Sequence, residues 1–200
     1  MIYTIPHYPV ELIDVLALAD GSRVTIRPTL PQDLDLQRAF FRSLSRQARY
    51  RRFMTSLEEL PATVADGFAS IDYHSHLALL AEVFEAGSER MIGEARYVVA
   101  SGDPVACEFA IAVADAWQGA GIARALLDRL ERQAAARGIR RMMADTLVSN
   151  RPMLAFAARA GYAVAERAED RELARLEKTL PLANKADRQA AAGGGRAIET

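Results

Sequence analysis

Gln118-Gly119-Ala120-Gly121-Ile122-Ala123 is the stretch on which the fold of this chain turns. Upstream, Val105, Cys107, Phe109, Ile111 and Val113 alternate with Ala106, Glu108, Ala110 and Ala112. Downstream, Ile122, Leu126, Leu130 and Ala134 recur at helical spacing up to Gly138, with Arg124, Asp128, Glu131 and Arg132 largely off that stripe. A period of two, then glycines, then a helical period reads as strand, turn and helix. The first turn of a helix has unpaired N–H groups and a partial positive charge, so it seats phosphate. Gly119 and Gly121 have no side chain to hold an anion away from those groups. The ligand expected from these residues is a phosphorylated cofactor.

Working outward, Asp20-Gly21 between Val10–Ala19 and Ser22–Pro28 is a hairpin signal. Leu30 to Phe53 reads as two helices broken near Ser43-Leu44-Ser45, and Pro61 as the start of a short helix running to about Ser70. His76–Phe84, Met91–Ala100 and Val105–Val113 read as an antiparallel meander with turns at Ala86-Gly87-Ser88 and Gly102-Asp103-Pro104. Arg141–Val148 is the next strand. Asn150 then caps a helix with Pro152 in its first turn, ending before Gly161. Tyr162–Glu166 and Leu173–Leu180 are the last strands expected. The central strand-helix-strand unit should join parallel strands by a right-handed crossover. The expected fold is α+β: a mixed, mostly antiparallel sheet between helices, in three αβα layers. One domain over residues 8–182 is expected, with a disordered polar, Ala- and Gly-rich tail over 183–200.

Bulk properties narrow the function. The chain has 200 residues, half of them hydrophobic, and a formal net charge of -1, so no global basic field marks a nucleic-acid binder. No apolar run approaches the ~20 residues of a membrane span. Met1–Val10 has neither the basic start nor the apolar core of a signal peptide. Cys107 is the only cysteine, which excludes an intrachain disulfide and fits a reducing cytoplasm. Its alternation with apolar neighbours marks it as a packed core thiol rather than a nucleophile.

Glu108 is the single carboxylate on a strand face otherwise made of alanines. Two readings stand side by side. It is an exposed carboxylate or an arginine's partner, or it is a general base in a partly dry cleft with its pKa raised by burial. Its place on the strand that leads into the glycine turn favours the second. The basic run Arg46, Arg49, Arg51, Arg52 reads better as a solvated helix face, with Tyr50 and Phe53 anchored in the core, than as a dock for an acidic partner or a cofactor phosphate. His74 and His76 lack the further ligands that a metal site needs. Trp117 is expected to pack under the glycine turn.

The Gln118–Ala123 run fits the Gln/Arg-x-x-Gly-x-Gly/Ala signature of the GNAT family of N-acetyltransferases, and the likeness extends to Ala114–Gln118, Asn150-Arg151-Pro152-Met153 and Gly161-Tyr162. The chain resembles most the acetyltransferase domain of bacterial Pat-type protein lysine acetyltransferases, whose first hairpin and helical segment are similar to Asp20–Pro28 and Ser43–Phe53 here. The resemblance covers roughly Tyr8 to Leu180. It implies acetyl-CoA as co-substrate, with its pyrophosphate on Gln118, Gly119, Ala120, Gly121, Ile122 and Ala123. The pantetheine arm would pair like an added strand beside Ile111, Ala112 and Val113. Asn150 and Met153 would serve the thioester end, and Glu108 would be the catalytic residue. No metal is implied. The acceptor implied is a primary amine, foremost a protein lysine on a metabolic enzyme; the oligomeric state is unreadable.

The same resemblance implies direct attack of the amine on the thioester, with Glu108 as base and a strand N–H near Ala110–Ile111 for the oxyanion. One departure stands out: many family members carry a tyrosine acid where this chain has Ala157, so the general acid is unassigned. The alternatives are a small-molecule amine acceptor and a non-catalytic acetyl-CoA sensor. A dinucleotide fingerprint is disfavoured because Arg124 replaces its third glycine, and a P-loop because Gly-Lys-Ser/Thr is absent.

Overall fold

Asp20-Gly21 closes the first hairpin as expected, with Gly21 at φ 86°, a conformation that costs glycine little. The strands it joins are β1 (Asp14–Ala17) and β2 (Arg23–Pro28), paired antiparallel from Asp14↔Ile26 to Ala17↔Arg23. Val10–Leu12, expected as part of the first strand, is instead a short 3-10 turn. The computed structural model describes residues 8–60, 71–85, 87–167 and 170–181. The helix expected after Pro61 and the polar tail lie outside them.

Helix α1 (Leu34–Ser43) and helix α2 (Arg46–Phe53) break where the sequence suggests. Ser45 causes the break: its hydroxyl accepts from the Ala48 N–H at 3.1 Å, and its own N–H and Oγ donate to Asp115 at 2.9 Å each. Strands β3 (His76–Glu85), β4 (Ser88–Ala100) and β5 (Asp103–Val113) form the expected meander. Helix α3 (Ile122–Ala136) leads to β6 (Arg141–Leu147), helix α4 (Arg151–Arg159), β7 (Ala163–Glu166) and β8 (Leu173–Thr179). The eight strands form one sheet in the order β1-β2-β3-β4-β5-β6-β8-β7, and β5–β6 is the one parallel pair among the described residues.

Helices cover both faces. On one, Ile122, Leu126, Leu127 and Leu130 of α3 pack with Ile92, Cys107, Phe109 and Val113. Gly93 lets α3 come close, because a Cβ there would sit 3.3 Å from Leu126 and 3.4 Å from Ile122. On the other face, Phe40 and Leu44 of the α1 segment pack on Leu80, Met91 and Ala114. Two expectations need correction. Val105, assigned to the core face, is 47% exposed near the outer end of β5. Tyr50, expected in the core, is 41% exposed. Phe53 does pack, with its ring 5.5 Å from Phe41.

Candidate active site

β5 runs beside β6 for only three residues, Ala106–Glu108 against Arg141–Met143. Beyond Glu108↔Met143 the strands part. Phe109–Val113 stay paired with β4, while Ala144–Leu147 stay paired with β8. The gap is a cleft of about 540 Å³ that reaches from the glycine turn to α2. Alternate backbone N–H and C=O groups of Phe109–Val113 point away from β4 along this open edge, where an extended chain can pair with them.

The glycine turn closes one end. Gly119 and Gly121 have φ of 84° and 86°, and a Cβ at either would meet nothing within 4 Å, so the space over the turn is open. The Gln118 amide donates to the Val113 carbonyl at 3.1 Å and ties the turn to the end of β5. No side chain caps α3 and no acid stands in its first turn, so its leading N–H groups are left for an anion. At the opposite wall, Asn150 caps α4: its Oδ1 accepts from the Met153 N–H at 3.4 Å and its Nδ2 donates to Thr146 Oγ1 at 3.2 Å. An open strand edge and an uncapped helix start joined by one cleft fit an extended ligand that carries a phosphate group.

Of the residues expected at the site, Ile111, Ala112, Val113, Gln118, Gly119, Gly121, Ala123, Asn150 and Met153 line the cleft. Three do not. Ala120 is exposed at the turn, and the Ile122 side chain is 1% exposed within the core, so its backbone alone can face a ligand. Glu108 is outside the lining and exposed, so the partly dry cleft expected around it is absent; it stands at the vertex where β5 and β6 separate. The sequence reading missed Phe156, Arg124 and Arg159 on the α3–α4 side, and Asp145 and Thr146 on β6. It also misjudged Arg51 and Arg52, which line the cleft from α2. A helical wheel of α3 and α4 would have found the first group; the rest depend on how far β6 and α2 lie from β5.

Two charged assemblies border the cleft. Asp145 accepts from Arg175 at 2.6 and 2.9 Å and from Arg167 at 2.7 Å. Glu94 is buried with one oxygen 2.8 Å from Arg96 and 3.5 Å from Arg52. Burial pushes the Glu94 carboxyl up, but Arg96 and Arg52 outweigh it and hold the group below the usual carboxylate range. Cys107 is fully buried and its thiol is pushed up to about 12 by burial, as a core thiol requires. Tyr162 is buried with its ring 5.1 Å from Phe109, and burial raises its hydroxyl far above the ordinary tyrosine range. Tyr162 and the fully buried Ala157 lie outside the cleft lining. No group of three or more His, Cys, Asp or Glu among the described residues is arranged to hold a metal, and no described helix is long and apolar enough to cross a membrane.

The sheet is split, with a phosphate-ready turn at the mouth of the split. The family model described as Acetyltransferase (GNAT) family matches residues 38–162. The chain belongs to that family, whose acetyltransferases use acetyl-CoA. It is 34% identical over 139 residues to Acetyltransferase PA5475 of Pseudomonas aeruginosa, covering 70% of this chain and 74% of the relative. It is similar to the GNAT domain of S. lividans PAT, with a TM-score of 0.77, 31% identity and coverage of 86% of this chain and 99% of that one. A Salmonella typhimurium structure with its cofactor acetyl-CoA shares the fold at a TM-score of 0.59 and 17% identity, over 79% of this chain and 94% of that one. The chain is thus an acetyltransferase that transfers acetyl from acetyl-CoA.

Proposed function

We propose that this chain N-acetylates a protein lysine, with Glu108 as general base, in a single catalytic domain over residues 8–182 that works in the cytoplasm. The observation that carries the reading is the end of the β5–β6 register at Glu108↔Met143. It sets a carboxylate at the vertex of the cleft, beside the point where an amine would meet the acyl group.

Acetyl-CoA supplies a thioester whose thiol has a pKa near ~8.5, a fair leaving group. The N–H groups of Gly119 to Ala123 hold the pyrophosphate, and the open edge at Ile111–Val113 aligns the pantetheine arm. Asn150 and Met153 form the wall at the thioester end. A lysine amine has a solution pKa of about 10.4 and arrives protonated. Glu108, directly or through a water, takes a proton as the amine nitrogen bonds the thioester carbonyl carbon; collapse of the adduct breaks the C–S bond and frees the CoA thiolate, which takes a proton from solvent. A β5 N–H near Ala110 or Ile111, on the edge that β6 leaves free, donates to the carbonyl oxygen as charge builds there.

Glu108→Gln tests the assignment. We expect kcat to fall by about 10²–10⁴ while acetyl-CoA binding, read by calorimetry, stays intact. Undiminished turnover in that variant removes Glu108 from the mechanism. Tight acetyl-CoA binding without turnover of any amine by the wild type makes the chain a sensor instead.

A further inference from the structure

The cleft passes through the sheet. Its α3–α4 side carries Gly119, Gly121, Asn150 and Met153; its α2 side carries Ala48, Arg51 and Arg52. A donor seated from the first side leaves the second for the acceptor. α2 holds four arginines and no acid. Arg46 is exposed and reaches Glu58 at 3.8 Å, and Arg49 lies 5.4 Å over the Phe41 ring. The other two turn toward the cleft. Arg52 has a side chain only 16% exposed and shares a single oxygen of Glu94 with Arg96. Arg51 lines the cleft with no hydrogen bond or ion pair to any described residue.

The helix dipole favours cations in a last turn, but it favours them equally in full solvent. It gives no reason to hold one guanidinium nearly buried and a second unpaired beside it. Glu94 is already taken by Arg52 and Arg96, so an anion drawn to this pair would match the charge of Arg51. The anion is not the reacting group. Arg52 lines one small hollow with Ala112, which is four residues beyond Glu108 and so about 13 Å along the strand. A lysine side chain with one or two peptide units spans that gap.

We propose that Arg51 and Arg52 dock an acidic side chain flanking the acceptor lysine, so that this enzyme selects lysines in acidic sequence. The proposal rests on the protein-lysine reading above and names the context that the lysine must have.

The test uses the full chain and matched peptides with one lysine, flanked at two and three residues on either side by Glu, Ala or Arg. We expect kcat/KM, followed by CoA release, to be about tenfold higher for the acidic peptide than for the basic one, with the gap narrowing in salt. Arg51→Gln should collapse the ratio to near unity, and Arg46→Gln should leave it in place. A binding arm replaces the lysine by norleucine and follows Trp117, the chain's sole tryptophan, which lines the cleft. The acidic norleucine peptide should shift its fluorescence in the wild type and fail to do so in Arg51→Gln. Equal kcat/KM across the peptides, a ratio that survives Arg51→Gln, or binding indifferent to Arg51 overturns the docking site. If no lysine peptide is turned over, the protein-lysine reading fails, and the binding arm still decides the docking site.

Discussion

On the α3 side of the sheet, Leu126, Leu127 and Leu130 are fully buried against Ile92 and Cys107. On the α1–α2 side, the same strands carry ion networks. Arg27 bridges Asp33 at 2.7 Å and Glu82 at 3.0 Å, and Glu94 joins Arg52 and Arg96 near the cleft. Apolar packing yields stability in proportion to area and is indifferent to detail of charge. A buried ion network yields little net stability, because desolvation offsets attraction, but its members are fixed in place. The sheet therefore has one face packed by apolar side chains and one that also holds charges at set positions. Arg27 illustrates the second: burial lowers its pKa, and Asp33 and Glu82 reverse that and raise it above the ordinary arginine value.

The largest expected effect attacks the charged face. Glu94→Ala removes the carboxylate that Arg52 and Arg96 share in a nearly dry site and should cost about 3–5 kcal/mol in urea unfolding. A loss under about 1 kcal/mol would class the network with exposed ion pairs and erase the contrast. On the apolar face, Leu126→Ala should cost about 2–5 kcal/mol by the same measurement, with a cavity left under Gly93. Turnover per folded molecule should survive it, since α3 contributes its start, and not Leu126, to the cleft. A turnover loss as large as that of Glu108→Gln would show that the apolar face also tunes the site.

The smallest effect is a titration. The Cys107 thiol lies at about 12 when folded, against an ordinary 9.0, because burial disfavours the thiolate. A raised folded pKa leaves stability whole below the unfolded pKa and erodes it as pH climbs toward the folded one. Above pH 9, the unfolded chain therefore loses its proton first. The unfolding free energy of the wild type should drop relative to Cys107→Ala by about 1.4 kcal/mol per pH unit. A parallel pH dependence in the two proteins would mean that water reaches the thiol.

Much of this was readable in advance. The eight strands, the break at Ser45, the glycine turn and the Asn150 cap each depend on residues a few positions apart, so local chemistry declares them. Nine of the expected site residues line the cleft for the same reason. The errors are of another kind. Alternation placed Val105 in the core, but the strand's outer end lies beyond its cover. The run of α2 was read as a solvated face anchored by Tyr50 and Phe53; Arg52 is largely withdrawn from solvent because Glu94, on a distant strand, receives it. The predicted base was given a dry pocket and stands in the open.

The sequence by itself determined the order and type of the elements, the apolar stripe of α3 and the phosphate-ready turn, since periodicity and glycine conformation are near-neighbour properties. Tertiary structure alone decided where β5 lets go of β6, which charges share the buried space under α2, and that Glu108 stands at the vertex. Those outcomes follow from register and packing between segments far apart in the chain, and no local pattern encodes them.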